Sequence, residues 1–230
     1  MAGQQDPPQG RLTRPFFARP VLQVAPELLG CTVSHAGVTV RLTEVEAYDG
    51  SNDPGSHAFR GLTARTQVMF GEPGGLYVYF TYGMHWCANL VCGSVGAASA
   101  VLMRAGEVVE GLEVAESRRS GVIERDLARG PARLAMALAL GRDQNGIDTV
   151  ATDSAFVMRA AMRGRAPVSP VSPVSPGAVV RTGPRVGVSG PGGDGASYPW
   201  RFWLEGEATV SAYRPGTVRR PKPAVRPTDP

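Results

Sequence analysis

The segment Leu42-Thr43-Glu44-Val45-Glu46-Ala47-Tyr48 has the alternation of a β-strand and carries two carboxylates. Strand side chains alternate between two faces, so residues two apart share a face. From Val38 onward the even-numbered positions begin apolar and become acidic, which predicts Glu46 where the core meets a cleft. Partial desolvation there would suit a carboxylate to act as a general base. The alternative is that Glu44 and Glu46 lie on a solvated strand end, the commoner situation for Glu.

A second segment, Leu76-Tyr77-Val78-Tyr79-Phe80-Thr81-Tyr82-Gly83-Met84-His85-Trp86-Cys87-Ala88-Asn89, predicts a β-hairpin. Its first half is rich in β-branched and aromatic residues, and Gly83 is a turn signal. Packing in an ordinary core is the favoured interpretation for Tyr77 and Phe80. It explains Tyr82 less well, because a ring at a hairpin tip has little core against which to pack.

An exposed aromatic ring at a hairpin tip, near a carboxylate, a histidine and many arginines, points to nucleic acid. Aromatic side chains stack on bases. An enzyme that acts on a base within a duplex must extrude that base, and an inserted side chain can fill the gap. The tip residue Tyr82 is therefore a candidate for insertion into DNA.

Further short motifs follow these two segments along the chain in a fixed order. They include Leu28-Leu29-Gly30, Asp53-Pro54-Gly55-Ser56-His57-Ala58, Met69-Phe70, Pro73-Gly74, Val101-Leu102-Met103-Arg104-Ala105, Gly130-Pro131-Ala132-Arg133-Leu134, Asn145-Gly146, Pro184-Arg185-Val186-Gly187-Val188 and Pro199-Trp200-Arg201-Phe202. With Glu44-Val45-Glu46-Ala47-Tyr48 and the hairpin, they resemble the alkyladenine (3-methyladenine, or methylpurine) DNA glycosylase family over roughly residues 20–212.

The resemblance implies catalytic roles for two residues. Glu46 looks like the general base that activates the hydrolytic water. Arg104 looks like the residue that helps to hold this water and the backbone of the flipped nucleotide. Glu44 has no clear catalytic role by the resemblance and is interpreted as structural.

The resemblance also implies a pocket for the flipped base and a plug for the gap it leaves. Tyr48 and Tyr79 look like the walls that sandwich the base, with His57 at its edge. Asn89 looks like the residue that crowds out the 2-amino group of normal guanine. At the hairpin tip, Tyr82 looks like the intercalating plug, and Met84 lies beside it.

The implied activity is excision of alkylated purines, 3-methyladenine and 7-methylguanine, with hypoxanthine as a further candidate. The chain has 24 Lys+Arg, of which only Lys222 is a lysine. Glycosylases that also cut the strand usually attack through an amine to form a Schiff base. We therefore expect a monofunctional enzyme that hydrolyses the N-glycosidic bond, leaves an abasic site and needs no cofactor.

Composition narrows the class of protein. A hydrophobic content of 43% is enough for a core, and the net charge of +4 is compatible with a basic DNA-binding face on a mixed surface. The 3 cysteines, Cys31, Cys87 and Cys92, argue against a disulfide scaffold, and no set of ligands with zinc spacing accompanies the histidines. No apolar run is long enough for a signal peptide or membrane span. We expect a cytoplasmic, DNA-associated monomer that binds double-stranded DNA with a damaged purine.

The predicted fold is α+β. It is a single mixed domain with a curved, largely antiparallel sheet, flanking helices and a protruding β-hairpin. We expect a disordered N-terminal arm at residues 1–15, the glycosylase domain at 16–213 with a Val-Ser-Pro-rich loop at 164–177, and a basic, proline-rich, disordered tail at 214–230. Helices are predicted near Pro26–Gly30, Glu110–Arg119 and Pro131–Leu140, and late strands at Val179–Val188 and Trp200–Leu204.

Two functions from other classes remain open at this point. A DNA-binding module that senses distortion without cutting would need no general base. A hydrolase acting on free nucleosides is disfavoured by Tyr82 and the basic residues, because a free nucleoside requires neither a plug nor a phosphate clamp.

Overall fold

The computed structural model describes residues 10–161 and 178–217. Its centre is one eight-stranded sheet in which every strand pair is antiparallel. The strands are β1 (Thr32–His35), β2 (Val38–Asp49), β3 (Leu76–Thr81), β4 (His85–Cys92), β5 (Ser99–Glu110), β6 (Val157–Arg159), β7 (Val180–Gly183) and β8 (Arg201–Leu204). The helices are α1 (Arg14–Phe17), α2 (Val21–Glu27), α3 (Leu112–Arg118) and α4 (Pro131–Ala137).

The two longest strands, β2 and β5, form the middle of the sheet. The main strand order is β3-β4-β5-β2-β1-β6. On the side of β2 away from β5, β1 pairs with the first part of the strand and β8 pairs with residues 44–46. Strand β7 extends the sheet beyond β8. The acidic part of β2 is therefore flanked by strands on both sides.

Two β-bulges interrupt the pairing of β2 with β5 next to the carboxylates. Leu42 pairs with Gly106 and Glu44 with Ala105, so one residue of β2 has no partner between them. Val45 then pairs with Met103, which leaves Arg104 of β5 without a partner. A bulge re-aims the side chains that follow it and is common beside active sites.

The bulge in β2 changes which residues face the main core. Val38, Val40 and Leu42 belong to the main hydrophobic cluster, but after the bulge the odd-numbered Val45 and Ala47 take over. The prediction that Val38 through Tyr48 keep their even positions on one face is therefore wrong. Glu44, Glu46 and Tyr48 lie on the other side of the sheet, away from the main core, because the extra residue reverses the alternation.

The α+β prediction of a single domain with an antiparallel sheet, a few helices and a hairpin is confirmed. Two of its details are wrong. The helix expected at Pro26–Gly30 lies earlier, as α2, and the strand expected at Val179–Val188 is limited to β7. The chain after Gly183 instead leaves the sheet and lines the cavity described below.

The ends of the domain differ in part from the predicted boundaries. Leu12 is buried and α1 begins at Arg14, so the fold includes part of the arm predicted at 1–15. Near the other end, the Gly187 N–H donates to the Arg214 carbonyl at 2.9 Å. Residues 1–9, the whole Val-Ser-Pro-rich loop at 164–177 and most of the tail lie outside the described residues. Within the described ranges, no helix is long and apolar enough to cross a membrane.

Candidate active site

The carboxylate of Glu46 is held by three donors from three parts of the chain. Its Oε1 accepts the Val186 N–H at 2.7 Å. Its Oε2 accepts the Tyr48 hydroxyl at 2.9 Å and Nη1 of Arg104 at 3.3 Å. Glu46 is 0% exposed, so the alternative of a solvated strand end is wrong. A buried carboxylate with charge-assisted hydrogen bonds has a fixed position and orientation.

Glu44, two residues earlier, is held even more completely. Its Oε1 accepts Nε of Arg104 at 2.8 Å, Nε of Arg201 at 2.7 Å and the Ser211 hydroxyl at 2.9 Å. Its Oε2 accepts the Ser211 N–H at 2.7 Å. Arg104 therefore bridges the two glutamates. Burial alone would lower the pKa of Arg104, but the charges of Glu46 and Glu44 raise it overall, so this residue stays cationic.

A cavity of about 340 Å³ opens above this charged cluster. Partners of Glu46 form part of its lining. The structure brings the predicted pocket residues together there: Tyr48, His57, Tyr79, Tyr82, Asn89 and Arg104 all line it. Residues 186–189, which the sequence prediction did not place in the pocket, complete one side.

Tyr48 is fixed from behind by a buried guanidinium. The Arg185 guanidinium carbon lies 4.5 Å from the Tyr48 ring centroid. Arg185 also forms two hydrogen bonds to Asp53, at 2.5 and 2.6 Å, and donates to the carbonyls of Ala47 and Gly192. Burial raises the pKa of Tyr48 and the nearby Glu46 charge raises it further, so the phenol remains protonated and able to donate to Glu46.

Tyr79 lies in a group of aromatic rings. It stacks on Tyr77 with ring centroids 5.4 Å apart, and His57 meets it edge-on at 4.6 Å. His57 Nδ1 lies 3.3 Å from the Tyr77 hydroxyl. The His57 ring is partly open to solvent, but its packed surroundings, and then the charge of Arg65, lower its pKa to about 4. His57 is therefore neutral at physiological pH.

Asn89 is buried in the wall of the cavity. Its Nδ2 donates to the Tyr77 carbonyl at 3.1 Å, which fixes the orientation of the amide. A buried amide held this way presents a rigid surface to anything that enters the cavity.

The hairpin tip lies beside the cavity. Tyr82 is 81% exposed and Met84 is 66% exposed, as expected for a pair that reaches outward. Tyr82 and Gly83 have φ values of 52° and 68°, and the Met84 N–H donates to the Thr81 carbonyl at 3.2 Å. Positive φ at both central residues is the pattern of a type I′ hairpin turn. A tyrosine in this region costs roughly 1–2 kcal/mol.

The prediction that Phe80 packs in the core is wrong. It is 47% exposed, whereas Tyr77 is buried as expected. Alternation along β3 places Tyr77 and Tyr79 on the cavity side and Phe80 on the opposite side, where it packs against Trp86 with ring centroids 4.8 Å apart.

Sequence reasoning missed the roles of Arg185, Val186 and Arg201. All three lie more than a hundred residues from the glutamates, and the Val186 contribution is a backbone N–H that no side-chain motif reveals. The available signals were the motifs Pro184-Arg185-Val186-Gly187-Val188 and Pro199-Trp200-Arg201-Phe202, which contain these residues but do not indicate their contacts. Among the described residues no group of three or more His, Cys, Asp or Glu side chains is arranged to hold a metal ion.

The chain was compared with known protein families. The model of the family described as "Methylpurine-DNA glycosylase" matches residues 15–208. The chain belongs to the methylpurine-DNA glycosylase family. It is therefore a DNA-binding enzyme of base excision repair, and the resemblance noted from its motifs is confirmed.

Individual relatives extend the similarity to nearly the full chain. A protein of Streptomyces avermitilis is 53% identical over 219 residues, which cover 93% of this chain and 97% of the relative. A protein of Frankia casuarinae is 53% identical over 207 residues, covering 90% and 94%. One from Cutibacterium acnes is 44% identical over 198 residues, covering 86% and 98%. Each is named "Putative 3-methyladenine DNA glycosylase".

Proposed function

We propose that this glycosylase flips 3-methyladenine and 7-methylguanine out of double-stranded DNA and hydrolyses their N-glycosidic bonds. The observation that carries the proposal is the Glu46 carboxylate, held by Tyr48, Arg104 and Val186 beneath an aromatic cavity. The names of its relatives agree with 3-methyladenine as a substrate.

The chemistry requires little of the protein beyond placement and one base. Alkylation at N3 or N7 makes a purine cationic and a good leaving group, so it can depart without protonation. Glu46 activates the water that attacks the sugar, and its negative charge stabilises the positive charge that develops there. Arg104 keeps the carboxylate aligned and contributes to holding the water and the nucleotide backbone.

Water must reach a carboxylate that has no exposed surface. Tyr48 covers Oε2 of Glu46 with a single hydrogen bond, whereas Arg104 is anchored separately through Glu44. In the proposal, the Tyr48 hydroxyl gives up this bond when a purine enters the cavity, and the water takes its place at Oε2. Tyr48→Phe should therefore preserve excision to within about tenfold, since the ring that forms the wall remains.

The walls and the plug determine which base is held. Tyr48 and Tyr79 present electron-rich rings to a cationic purine, and such cation–π contacts contribute about 0.5–2 kcal/mol. Asn89 disfavours guanine by contact with its 2-amino group. 7-Methylguanine has the same group and is excised because its cationic ring is the better leaving group. Tyr82 fills the space that the flipped nucleotide leaves in the duplex, with Met84 beside it.

Hypoxanthine is a more demanding substrate because it is neutral. His57 has its pKa lowered to about 4, so it offers a neutral ring N–H and no full proton at physiological pH. Hypoxanthine should therefore be excised more slowly than the cationic purines. The enzyme acts as a monomer in this scheme, with each chain supplying a complete cavity.

The test is a single-turnover assay on duplex DNA that carries one 3-methyladenine or one hypoxanthine, with and without alkali. Strand breaks that appear only after alkali are expected from a monofunctional enzyme, because Lys222 is the only lysine. Breaks without alkali would contradict the monofunctional mechanism. Tight binding to the lesion with no breaks under either condition would contradict excision.

A further inference from the structure

Glu44 and Arg201 stand out because they are buried, charged and outside the catalytic roles assigned above. Glu44 is 0% exposed and Arg201 is 4% exposed, and the two are 2.7 Å apart. Arg201 also donates to the Ser211 carbonyl at 2.6 Å. Neither side chain lines the cavity. Burying the Arg201–Glu44 pair beside the Arg104–Glu46 pair has a large desolvation cost. We therefore expect these charges to have a role that apolar residues could not fill.

The four charges form one connected cluster. Arg201 bonds Glu44, Glu44 bonds Arg104, and Arg104 bonds Glu46. With both arginines protonated and both glutamates ionised, the cluster has no net charge. Arg104 therefore contacts Glu46 directly, Glu44 acts through one neighbour and Arg201 through two, in an interior where charges are weakly screened.

We propose that Glu44 and Arg201 are positioning residues that align Arg104 on Glu46 and set the pH range in which Glu46 acts as a base. The inference rests on the proposed role of Glu46. Glu44 does not compete for that role, since four donors already occupy its carboxylate.

The two residues act on Glu46 with opposite signs. A neighbouring negative charge disfavours ionisation of a carboxylate, and a neighbouring positive charge favours it. Neutralising Glu44 also releases Arg104 to pair with Glu46 alone. Glu44→Gln should therefore extend excision to lower pH, and Arg201→Gln should restrict it to higher pH.

The other groups around Glu46 are the same residues in both variants, and among them only Arg104 changes its pairing. The charged and titratable groups that face it from the surrounding elements are Tyr48 on β2, Tyr79 on β3, Cys87 on β4, Arg104 on β5 and Arg185 in the segment after β7. Tyr48 and Tyr79 have raised pKa values, chiefly because they are buried, and stay neutral across the acid range.

The experiment is single-turnover excision of 7-methylguanine from a duplex, measured from pH 4.5 to 8. This base is already cationic, so the fall in rate at low pH reports the ionisation of the catalytic base. The midpoint of the profile is the pH at which the excision rate is half its maximum. We expect this midpoint to move down by about one pH unit in Glu44→Gln and up by about one unit in Arg201→Gln. The maximal rate of Glu44→Gln should fall about tenfold, because Arg104 loses its anchor on Nε.

Glu107→Gln is the matched control. Glu107 is a largely buried carboxylate on β5 that pairs with Arg41 at 2.6 Å, outside the Glu44 cluster. The Glu107→Gln substitution should lower stability without moving the midpoint of the pH profile. Unmoved midpoints in Glu44→Gln and Arg201→Gln, or shifts in the same direction, would overturn the inference.

The design separates failure of this inference from failure of the proposed function. If Glu46→Gln abolishes excision but the midpoints stay fixed, only the inference fails. If wild-type protein excises nothing, or Glu46→Gln excises normally, the proposed function fails. Should Glu44→Gln not fold, as judged by thermal melting, the upward shift in Arg201→Gln decides the question alone.

Discussion

The floor of the cavity and the tip of the hairpin lie side by side but are built in opposite ways. At the floor, Glu46 is fully buried and accepts three hydrogen bonds from distant parts of the chain. At the tip, Tyr82 is 81% exposed and occupies a left-handed backbone conformation. The difference indicates a division of labour. The group proposed for chemistry is fixed before DNA arrives, and the group proposed for probing DNA is exposed and free to insert.

The largest expected effect is at the floor. Glu46→Gln keeps the size of the side chain but removes the charge that activates water. Single-turnover excision of 3-methyladenine should fall about 10²–10⁴-fold, with lesion-DNA affinity unchanged. Excision near the wild-type rate would remove Glu46 from the role of base.

The next effect is at the tip. Tyr82→Ser removes a ring that would stack in the duplex, which is worth about 1–3 kcal/mol and so about 5- to 150-fold in affinity for lesion DNA. Phe80→Ser is the control, since Phe80 is a half-exposed ring on the same hairpin but away from the tip. Equal losses in both variants, measured by fluorescence anisotropy, would show that Tyr82 has no special role.

A smaller effect is expected in the wall between these two regions. Asn89→Ser shortens the side chain that faces the entering base, so discrimination against normal guanine should relax by about tenfold. The measurement is the ratio of excision rates for guanine and hypoxanthine in matched duplexes, because these two bases differ only in the 2-amino group. An unchanged ratio would show that Asn89 does not exclude the 2-amino group.

Replacing Tyr82 at the hairpin tip should change stability and DNA binding in opposite directions. Tyr82→Asn places a residue that tolerates positive φ in the turn, so the free energy of unfolding should rise by up to about 1 kcal/mol. Urea denaturation of the whole chain gives this value. A clear loss of stability would mean that the Tyr82 ring holds the hairpin in place and is not free to insert.

The smallest effect concerns His57 and pH. Its pKa is lowered from 6.5 to about 4 in the folded protein, so the unfolded chain binds more protons between these values. Stability should therefore fall as pH drops from about 6.5 toward 4, and His57→Gln should reduce this fall. The measurement is the thermal midpoint at pH 7, 5.5 and 4.5. A His57 that titrates near 6.5 by nuclear magnetic resonance would contradict the lowered pKa.

Much of the fold and of the pocket could be predicted because the signals are local. Alternation marked β2, Gly83 marked the turn, and the position of Tyr82 at that turn correctly predicted its exposure. The residues proposed for the pocket were predicted by resemblance, and they do converge on one cavity.

The rest could not be predicted because it depends on register and on distant partners. The unpaired residue in β2 reverses the faces of Glu44 and Glu46, and the alternation of the sequence does not predict this bulge. Arg185 and Arg201 are more than a hundred residues away from β2 in sequence, so no local pattern shows that they contact it. The full burial of Glu46 follows from both, since the bulge turns it away from the main core and the later segments cover it.

The most direct test of the division of labour follows base flipping and excision separately in the same experiment. A fluorescent 2-aminopurine beside the lesion reports flipping, and quenched samples report excision, for wild type, Glu46→Gln and Tyr82→Ser. We predict that Glu46→Gln flips the base at the wild-type rate without excising it, and that Tyr82→Ser fails to hold it flipped. Equal loss of both steps in both variants would contradict the account.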